Sequence, residues 1–182
     1  MTTKSSRRLV IDASVARSSG GEDAVFPTSK NCRDFLKAVL EICHHVVLTP
    51  EIREEWHKHK SNFARRWLVS MFARKKAGLI DSVEDQVLRG KIDRASQSEK
   101  ARAAMLKDVH LLEAALMTDE IVVALDEKVR SLFIEAAISV GEIRNVVWIN
   151  PDRADEAPLP WLEGGAKLDK KKCLGAGCVR SD

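Results

Sequence analysis

The sequence predicts an α/β fold in which a central parallel sheet lies between two layers of helices, a three-layer α/β/α sandwich. Four short apolar runs have the length and composition of strands, and segments with helical periodicity separate them. The runs are almost continuously apolar, which is typical of parallel strands buried on both faces. Strands and helices that alternate along the chain indicate that the helices cover the two faces of the sheet.

The first strand is predicted at residues 8–12, which read RLVID. Residues 18–31 are rich in turn formers, so we expect a loop there, with Asn31 as the cap of the next helix. Apolar residues repeat at helical spacing through residues 34–45. A second strand is predicted at residues 45–49.

A long helical pattern fills residues 51–76. Thr49 has the side chain of a helix cap, and Pro50 suits the first helical turn. We expect one break near Ser61–Asn62 and an end at Gly78. The second half of the chain continues the alternation, with helices predicted over residues 82–94, 97–117 and 128–139, and strands over residues 121–125 and 145–150.

The segment after the last strand has a different character. It contains three prolines, two adjacent glycines and a lysine run. We therefore assign residues 1–150 to one domain and residues 151–182 to an irregular C-terminal tail that docks partly through Trp161 and Leu162.

Composition limits the class of protein. The 182 residues suit one compact domain, with 45% hydrophobic and 31% charged residues. A net charge of +3 is compatible with a polyanionic partner without requiring one. We find no secretory signal and no apolar run of bilayer-spanning length, and therefore expect a cytoplasmic protein. The spacing of Cys173 and Cys178 is not that of a zinc knuckle.

Two aspartates follow strands. Asp12 ends the run LVID and Asp126 ends VVALD. Ligands of open parallel sheets bind beyond the carboxyl ends of the strands, and adjacent strands lie about 4.8 Å apart. If these two strands are neighbours, the carboxylates are close enough to share one cation, which would relieve their mutual repulsion.

Further acids occur on two predicted helices. Glu51, Glu54 and Glu55 lie in the first turns after the second strand, where an acid also simply favours the helix dipole. Asp108 lies in the middle of a helix beside the apolar stripe, and aspartate is a poor helix former. Its position therefore calls for a reason other than helix stability.

The segments RLVIDASV, VVLTPEIREEW, KDVHLLEAALM and IVVALDEKVRSLF occur in this order over residues 8–150. In this ordered set the chain resembles the PIN domain, a fold of metal-dependent ribonucleases. The resemblance implies that the four acids of the family fall on Asp12, Glu55, Asp108 and Asp126. Glu55 matches better than Glu51 or Glu54, because the next residue takes the apolar position that follows the family's acid.

The resemblance also implies roles for these residues. Asp12, Asp108 and Asp126 would hold Mg²⁺ or Mn²⁺, since hard oxygen ligands suit these cations. Glu55 would be a ligand or an orienting base, and Ser14 matches a small hydroxyl residue common after the first acid.

The fourth segment departs from the family pattern. Many relatives have Thr or Ser before the last acid and another Asp two residues beyond it. This chain has Ala124 and Lys128 at those positions. The departure puts the metal affinity and the ligand set in question.

The implied activity is an endoribonuclease, the toxin half of a toxin–antitoxin pair. RNA, a protein antitoxin and a second copy of the chain are the implied partners, and Arg17, Arg53 and Lys58 are candidates to hold the RNA backbone. Two alternatives remain open. One is an RNA-processing PIN nuclease without an antitoxin, and the other is a catalytically weak PIN module that binds RNA or protein.

Overall fold

The computed structural model describes residues 6–82 and 84–178, with side chains described as far as Ala176. Within these residues the chain forms five strands and eight α-helices. The strands are β1 (Arg8–Ile11), β2 (His45–Leu48), β3 (Ala77–Leu79), β4 (Ile121–Val123) and β5 (Val147–Ile149). The helices are α1 (Ala13–Ser18), α2 (Pro27–Ile42), α3 (Pro50–His59), α4 (Asn62–Ala73), α5 (Gln86–Ala95), α6 (Glu99–Leu116), α7 (Glu127–Ala136) and α8 (Pro158–Glu163).

The strands form one parallel sheet in the order β3-β2-β1-β4-β5. The chain runs outward from β1 to β3, and then returns to the other side of β1 for β4 and β5. On one face α2 packs with α4 and α8, and on the other α6 packs with α5 and α7. The predicted three-layer α/β/α sandwich is therefore confirmed.

The core lies between the sheet and each helical layer. The central strands β1 and β4 are almost completely buried, as their continuous apolar runs predict. The largest fully buried side chains include Trp56, Trp148, Phe35 and Phe133. None of the helices in the described part of the chain is long and apolar enough to cross a membrane.

One strand was not predicted. Residues 77–79 read Ala-Gly-Leu and form the edge strand β3, whereas Gly78 was expected to end a helix. The preceding helix α4 already ends at Ala73. The strand has only three residues, one of them a glycine, and Leu79 is exposed, so only its pairing with β2 reveals it. The predicted break near Ser61–Asn62 is confirmed, because α3 ends at His59 and Ser61 caps α4.

The start of α2 was predicted too late. Asn31 lies inside this helix, which begins at Pro27, and does not cap it. Proline at the first helical position fixes the backbone angle that a helix needs, so the helix starts within the segment expected to be a loop. The amide nitrogen of Asn31 instead donates to Asp152 Oδ1 at 2.9 Å. The preceding helix α1 was not predicted either.

The other boundaries shift by a few residues. The predicted helix at 82–94 begins at Gln86, after Asp85 caps it, and Val83 lies outside the described residues. The last predicted strand is confined to Val147–Ile149.

The segment after Pro151 is more ordered than the irregular tail we expected. It contains α8 and short 3₁₀ turns, and Leu162, Cys173 and Leu174 belong to the hydrophobic core. Cys173 also forms a single antiparallel bridge with Val147 at the edge of the sheet. Burial raises the pKa of its thiol. The side chain of Cys178 lies outside the described residues.

Candidate active site

The order of the strands places two carboxylates at the reversal point of the sheet. β1 and β4 are adjacent, although they are not consecutive in the chain, and the Asp12 N–H donates to the Val123 carbonyl at 2.9 Å. Asp12 follows β1 directly, and Asp126 follows β4 after a two-residue turn. The crevice at such a reversal is where open α/β sheets bind ligands.

Both aspartates also cap helices. Asp12 Oδ2 accepts the N–H of Ser14 at 3.0 Å and begins α1. Asp126 Oδ1 accepts the N–H groups of Lys128 and Val129, each at 3.0 Å, and begins α7. Each carboxylate thus has one oxygen oriented by its own helix, which fixes the direction of the side chain.

Glu55 reaches the same region from α3. The next residue, Trp56, is fully buried, and its indole Nε1–H donates to the Ile11 carbonyl at 2.8 Å. This hydrogen bond attaches α3 to the end of β1, one residue before Asp12. The anchored tryptophan therefore sets where the adjacent glutamate lies.

Asp108 is supplied by α6, between the buried side chains of Met105 and Val109. Burial is the largest influence on its carboxyl group, and the negative charges of Asp12 and Asp126 act in the same direction, so its pKa rises from 3.8 to about 6. The nearby Lys107 and His110 oppose this rise. Asp108 is thus close enough to both strand-end aspartates to be repelled by them.

The four acids line one cavity of about 260 Å³, whose wall consists of Asp12, Ala13, Ser14, Arg17, Glu55, His59, Lys107, Asp108 and Asp126. At about 30 Å³ per water molecule, this volume is enough for a hydrated cation together with a phosphate group. The structure therefore brings together every acid selected from the sequence.

Ser14 joins the two turns that carry the strand-end aspartates. Its hydroxyl oxygen accepts the N–H of Leu125 at 3.3 Å, one residue before Asp126. A small hydroxyl residue at this position therefore holds the β4–α7 turn against the start of α1.

The donor chemistry of the cavity fits Mg²⁺ or Mn²⁺. Carboxylate oxygens are the ligands that these hard cations prefer, and a cation would offset the repulsion that raises the pKa of Asp108. Among the residues that the structure describes, no three His, Cys, Asp or Glu side chains already stand close enough to hold one metal ion. Mg²⁺ usually keeps several of its waters, so it does not require an all-protein cage.

The structure shows the surroundings of Ala124 and Lys128, the two residues at which the fourth segment departs from the PIN pattern. Ala124 is buried, and its N–H donates to the Ile149 carbonyl at 3.1 Å, while Lys128 is exposed. Glu127 does not replace the missing acid. Its Oε1 accepts from Asn150 Nδ2 at 2.8 Å, and its carboxylate pairs with Arg130 of the same helix and with Arg153.

The predicted backbone-binding cations do not lie together. Arg17 lines the acidic cavity, whereas Arg53 lines two other grooves, beside α4 and beside β3. Lys58 forms an ion pair with Glu54 at 2.6 Å on the outer side of α3.

Three residues beside the acids were not selected from the sequence. His59 and Lys107 line the cavity. His110 does not line it but contacts Glu55, with Nε2 at 3.5 Å from Glu55 Oε2. Lys107 could have been found from its position next to Asp108. His59 could also have been found, since it lies four residues after Glu55 on the same face of α3. His110 could not, because its position depends on how α3 packs against α6.

Comparisons of the chain with protein-family models, with curated proteins and with solved structures gave no match, so the case for a function rests on the cavity and its residues.

Proposed function

We propose that this protein is a metal-dependent endoribonuclease of the PIN type, which hydrolyses phosphodiester bonds of RNA with Mg²⁺ or Mn²⁺. One observation carries the proposal: Asp12, Glu55, Asp108 and Asp126 come from four separate elements and line one cavity at the reversal point of the sheet. Four acids gathered from such distant parts of the chain are costly to keep together without a cation.

The arrangement of charge in the cavity supports the same proposal. Arg17, His59 and Lys107 line it beside the acids, yet none of the three forms an ion pair with an acid of the described chain. The cavity thus offers anionic groups to a cation and, in Arg17 and Lys107, cationic groups to an anion. A divalent metal and a phosphodiester are a ligand pair that satisfies both.

The proposed roles follow from position. Asp12, Asp108 and Asp126 would hold the cation, and Glu55 would be a further ligand or orient the attacking water. When bound, the metal supplies Lewis-acid polarisation of the phosphoryl oxygen and a more acidic water. The hydrogen bond between Ser14 and Leu125 holds together the two turns that carry Asp12 and Asp126.

The biological setting of the proposal comes from the resemblance to PIN proteins. In that setting the protein is a cytoplasmic toxin that acts on RNA, forms a homodimer and is held inactive by a protein antitoxin. An RNA-processing nuclease without an antitoxin would use the same chemistry. A small open reading frame directly upstream of the gene, encoding an antitoxin, distinguishes the toxin from the processing enzyme.

One specific observation favours a second candidate, a catalytically weak module that binds RNA or protein. The fourth segment has Ala124 and Lys128 where many PIN relatives have a hydroxyl residue and another acid. In the described residues, moreover, no three potential ligands are already grouped. Such a site would bind metal weakly and could retain RNA binding alone.

Cleavage of mixed RNAs by the purified protein, with and without Mn²⁺ or Mg²⁺, tests the proposal. Asp12→Asn and Asp126→Asn are suitable variants, because asparagine also caps helices and therefore preserves the fold. We expect metal-dependent cleavage by the native chain and its loss in both variants. Cleavage that persists in either variant or in a chelator would refute the metal mechanism. RNA binding without cleavage by any form would identify the binding module.

A further inference from the structure

The sheet has one covered edge and one open edge in the described part of the chain. At the β5 edge, Val147 forms an antiparallel bridge with Cys173, and the Leu174 N–H donates to the Val146 carbonyl at 2.9 Å. At the opposite edge β3 is the last strand, and no segment that the structure describes pairs with its outer side. Such an edge offers backbone donors and acceptors to another strand.

The outward backbone groups of β3 belong to Ala77 and Leu79. The Val46 N–H of β2 donates to the Lys76 carbonyl at 2.9 Å, so residue 76 directs its carbonyl to β2. Backbone groups alternate in direction along a strand, so Gly78 also faces β2, whereas the N–H and C=O groups of Ala77 and Leu79 face outward. The apolar side chain of Leu79 is moreover 57% exposed.

The glycine at the centre of this strand is not required by the described chain. A Cβ at Gly78 would meet only the Val46 carbonyl oxygen, at the ordinary van der Waals distance of 3.8 Å, and the backbone of Gly78 is not left-handed. Glycine weakens the interior of a strand and often marks a place where another backbone approaches closely. A partner strand on the outer side of β3 would account for it.

The residues around Gly78 are complementary to a second copy of themselves. Residues 75–81 read KKAGLID. If two copies run antiparallel with their Gly78 residues opposite each other, Ala77 pairs with Leu79 of the other copy, and Lys75 lies beside Asp81. Both charged side chains are exposed, and neither forms an ion pair with another residue that the structure describes. Each charge is therefore available to the opposite charge of a second copy.

We propose that β3 is the surface at which a second copy of this chain binds, by antiparallel pairing of two β3 strands across a two-fold axis at Gly78. Ala77 of each copy then exchanges both backbone hydrogen bonds with Leu79 of the other, and the two five-stranded sheets become one continuous sheet. The inference goes beyond the proposed nuclease, because it needs neither metal nor RNA. The resemblance to PIN proteins implies a dimer, but not the surface that forms it.

Sedimentation equilibrium of the full chain, without metal or RNA, tests this pairing. We expect the native protein to approach twice the mass of one chain as its concentration rises. Lys75→Asp and Asp81→Lys each place like charges opposite one another at both ends of the pair, and each should weaken dimerisation about tenfold. An equimolar mixture of the two variants should recover the native affinity, because opposite charges meet again. The double variant should recover it for the same reason.

Two further measurements separate strand pairing from other contacts. Asp23→Lys and Lys100→Asp are matched controls, since both residues are exposed and lie outside β3 and the grooves beside it. They should change the dimerisation constant by less than about twofold. In hydrogen exchange, the amides of Ala77 and Leu79 should exchange at least about tenfold more slowly in the native dimer than in the Asp81→Lys variant.

A native chain that stays monomeric at every concentration would overturn the inference, as would control variants that weaken the dimer as much as the edge variants do. A mixture of Lys75→Asp and Asp81→Lys that remains monomeric would overturn the antiparallel register. A dimer without protection of the Ala77 and Leu79 amides would place the contact on another surface. Failure of the proposed function is distinguishable, since a chain that dimerises through β3 but cleaves no RNA refutes only the nuclease.

Discussion

His110 Nε2 lies 3.5 Å from Glu55 Oε2, and His110 lines a different cavity from the acidic one that Glu55 lines. The other ring nitrogen, Nδ1, donates to the Lys107 carbonyl at 3.0 Å, which fixes the ring. Nε2 is buried and has no hydrogen-bond partner within the described residues. The histidine thus contacts Glu55 without lining the acidic cavity itself.

This relationship predicts that His110→Leu lowers the rate of RNA cleavage about 10- to 100-fold with little change in KM, as for other groups that orient a metal-site residue. His110→Gln should retain more activity, because its amide can still contact Glu55. In a Glu55→Gln background, removal of His110 should have no further effect. Additive losses in the double variant would mean that His110 does not act through Glu55.

Asp108 should make the metal-free protein less stable at neutral pH. Its pKa of about 6 in the folded protein exceeds the ordinary 3.8, so the folded state binds this proton more tightly than the unfolded state. Stability contributed by this group therefore falls as pH rises from about 4 to about 6, and stays low above that. After allowance for solvent screening, Asp108→Asn should gain about 1–2 kcal/mol at pH 8 and almost nothing at pH 4.

Urea unfolding in EDTA at both pH values measures this difference. The same variant should lose RNA cleavage, and Mg²⁺ should stabilise the native chain more than it stabilises the variant. An equal effect of Asp108→Asn at pH 4 and pH 8 would show that burial and the neighbouring acids do not destabilise the carboxylate.

Trp56 and Trp67 allow the fold and the site to be tested separately. Both are buried, and their indoles donate to the carbonyls of Ile11 at 2.8 Å and of Leu36 at 2.5 Å. Replacement of either by Phe removes one buried hydrogen bond and should lower the free energy of unfolding by about 0.5–1.5 kcal/mol. Only Trp56→Phe should also lower the cleavage rate, because only this residue attaches Glu55 to the end of β1. Equal rates for the two folded variants would contradict this role.

Lys128 offers a gain-of-function test. The exposed side chain lies at the second position of α7, two residues beyond Asp126. Lys128→Asp adds a carboxylate near the helix N-terminus, where negative charge is favourable, and restores the acid of the PIN pattern. We expect about tenfold less Mn²⁺ or Mg²⁺ to give half-maximal cleavage. Lys128→Gln is the control, because it removes the cation without adding a ligand; an equal gain there would point to simple loss of positive charge.

The segment after Pro151 should be required for stability. Leu162 is fully buried against the core, whereas Leu168 is 59% exposed. Leu162→Ala should lower the free energy of unfolding by about 2–5 kcal/mol, and Leu168→Ala by less than about 0.5 kcal/mol. Denaturant unfolding of both variants measures the contrast. A Leu162→Ala variant as stable as the native chain would restore the view of this segment as a loosely attached tail.

Strands and helices could be predicted wherever the residues of a single segment are enough to indicate its conformation. The runs that form β1 and β4 are apolar enough to indicate buried parallel strands without any partner. Ala77–Leu79 carries no such signal, because β3 exists only through its pairing with β2. The start of α2 was missed because Pro27 was interpreted as part of a turn, although it occupies the first helical position.

The sequence by itself determined the α/β class and the two strand-end aspartates, since both follow from the local periodicity of apolar residues and from where each run stops. Only the tertiary structure decided that β1 and β4 are adjacent, so that Asp12 and Asp126 line one cavity. It also decided which cations share their cavity, since Arg17 and Lys107 line it and Arg53 does not. The physical reason is that local patterns fix the conformation of a segment, whereas the packing of distant helices on the sheet fixes which side chains approach one another.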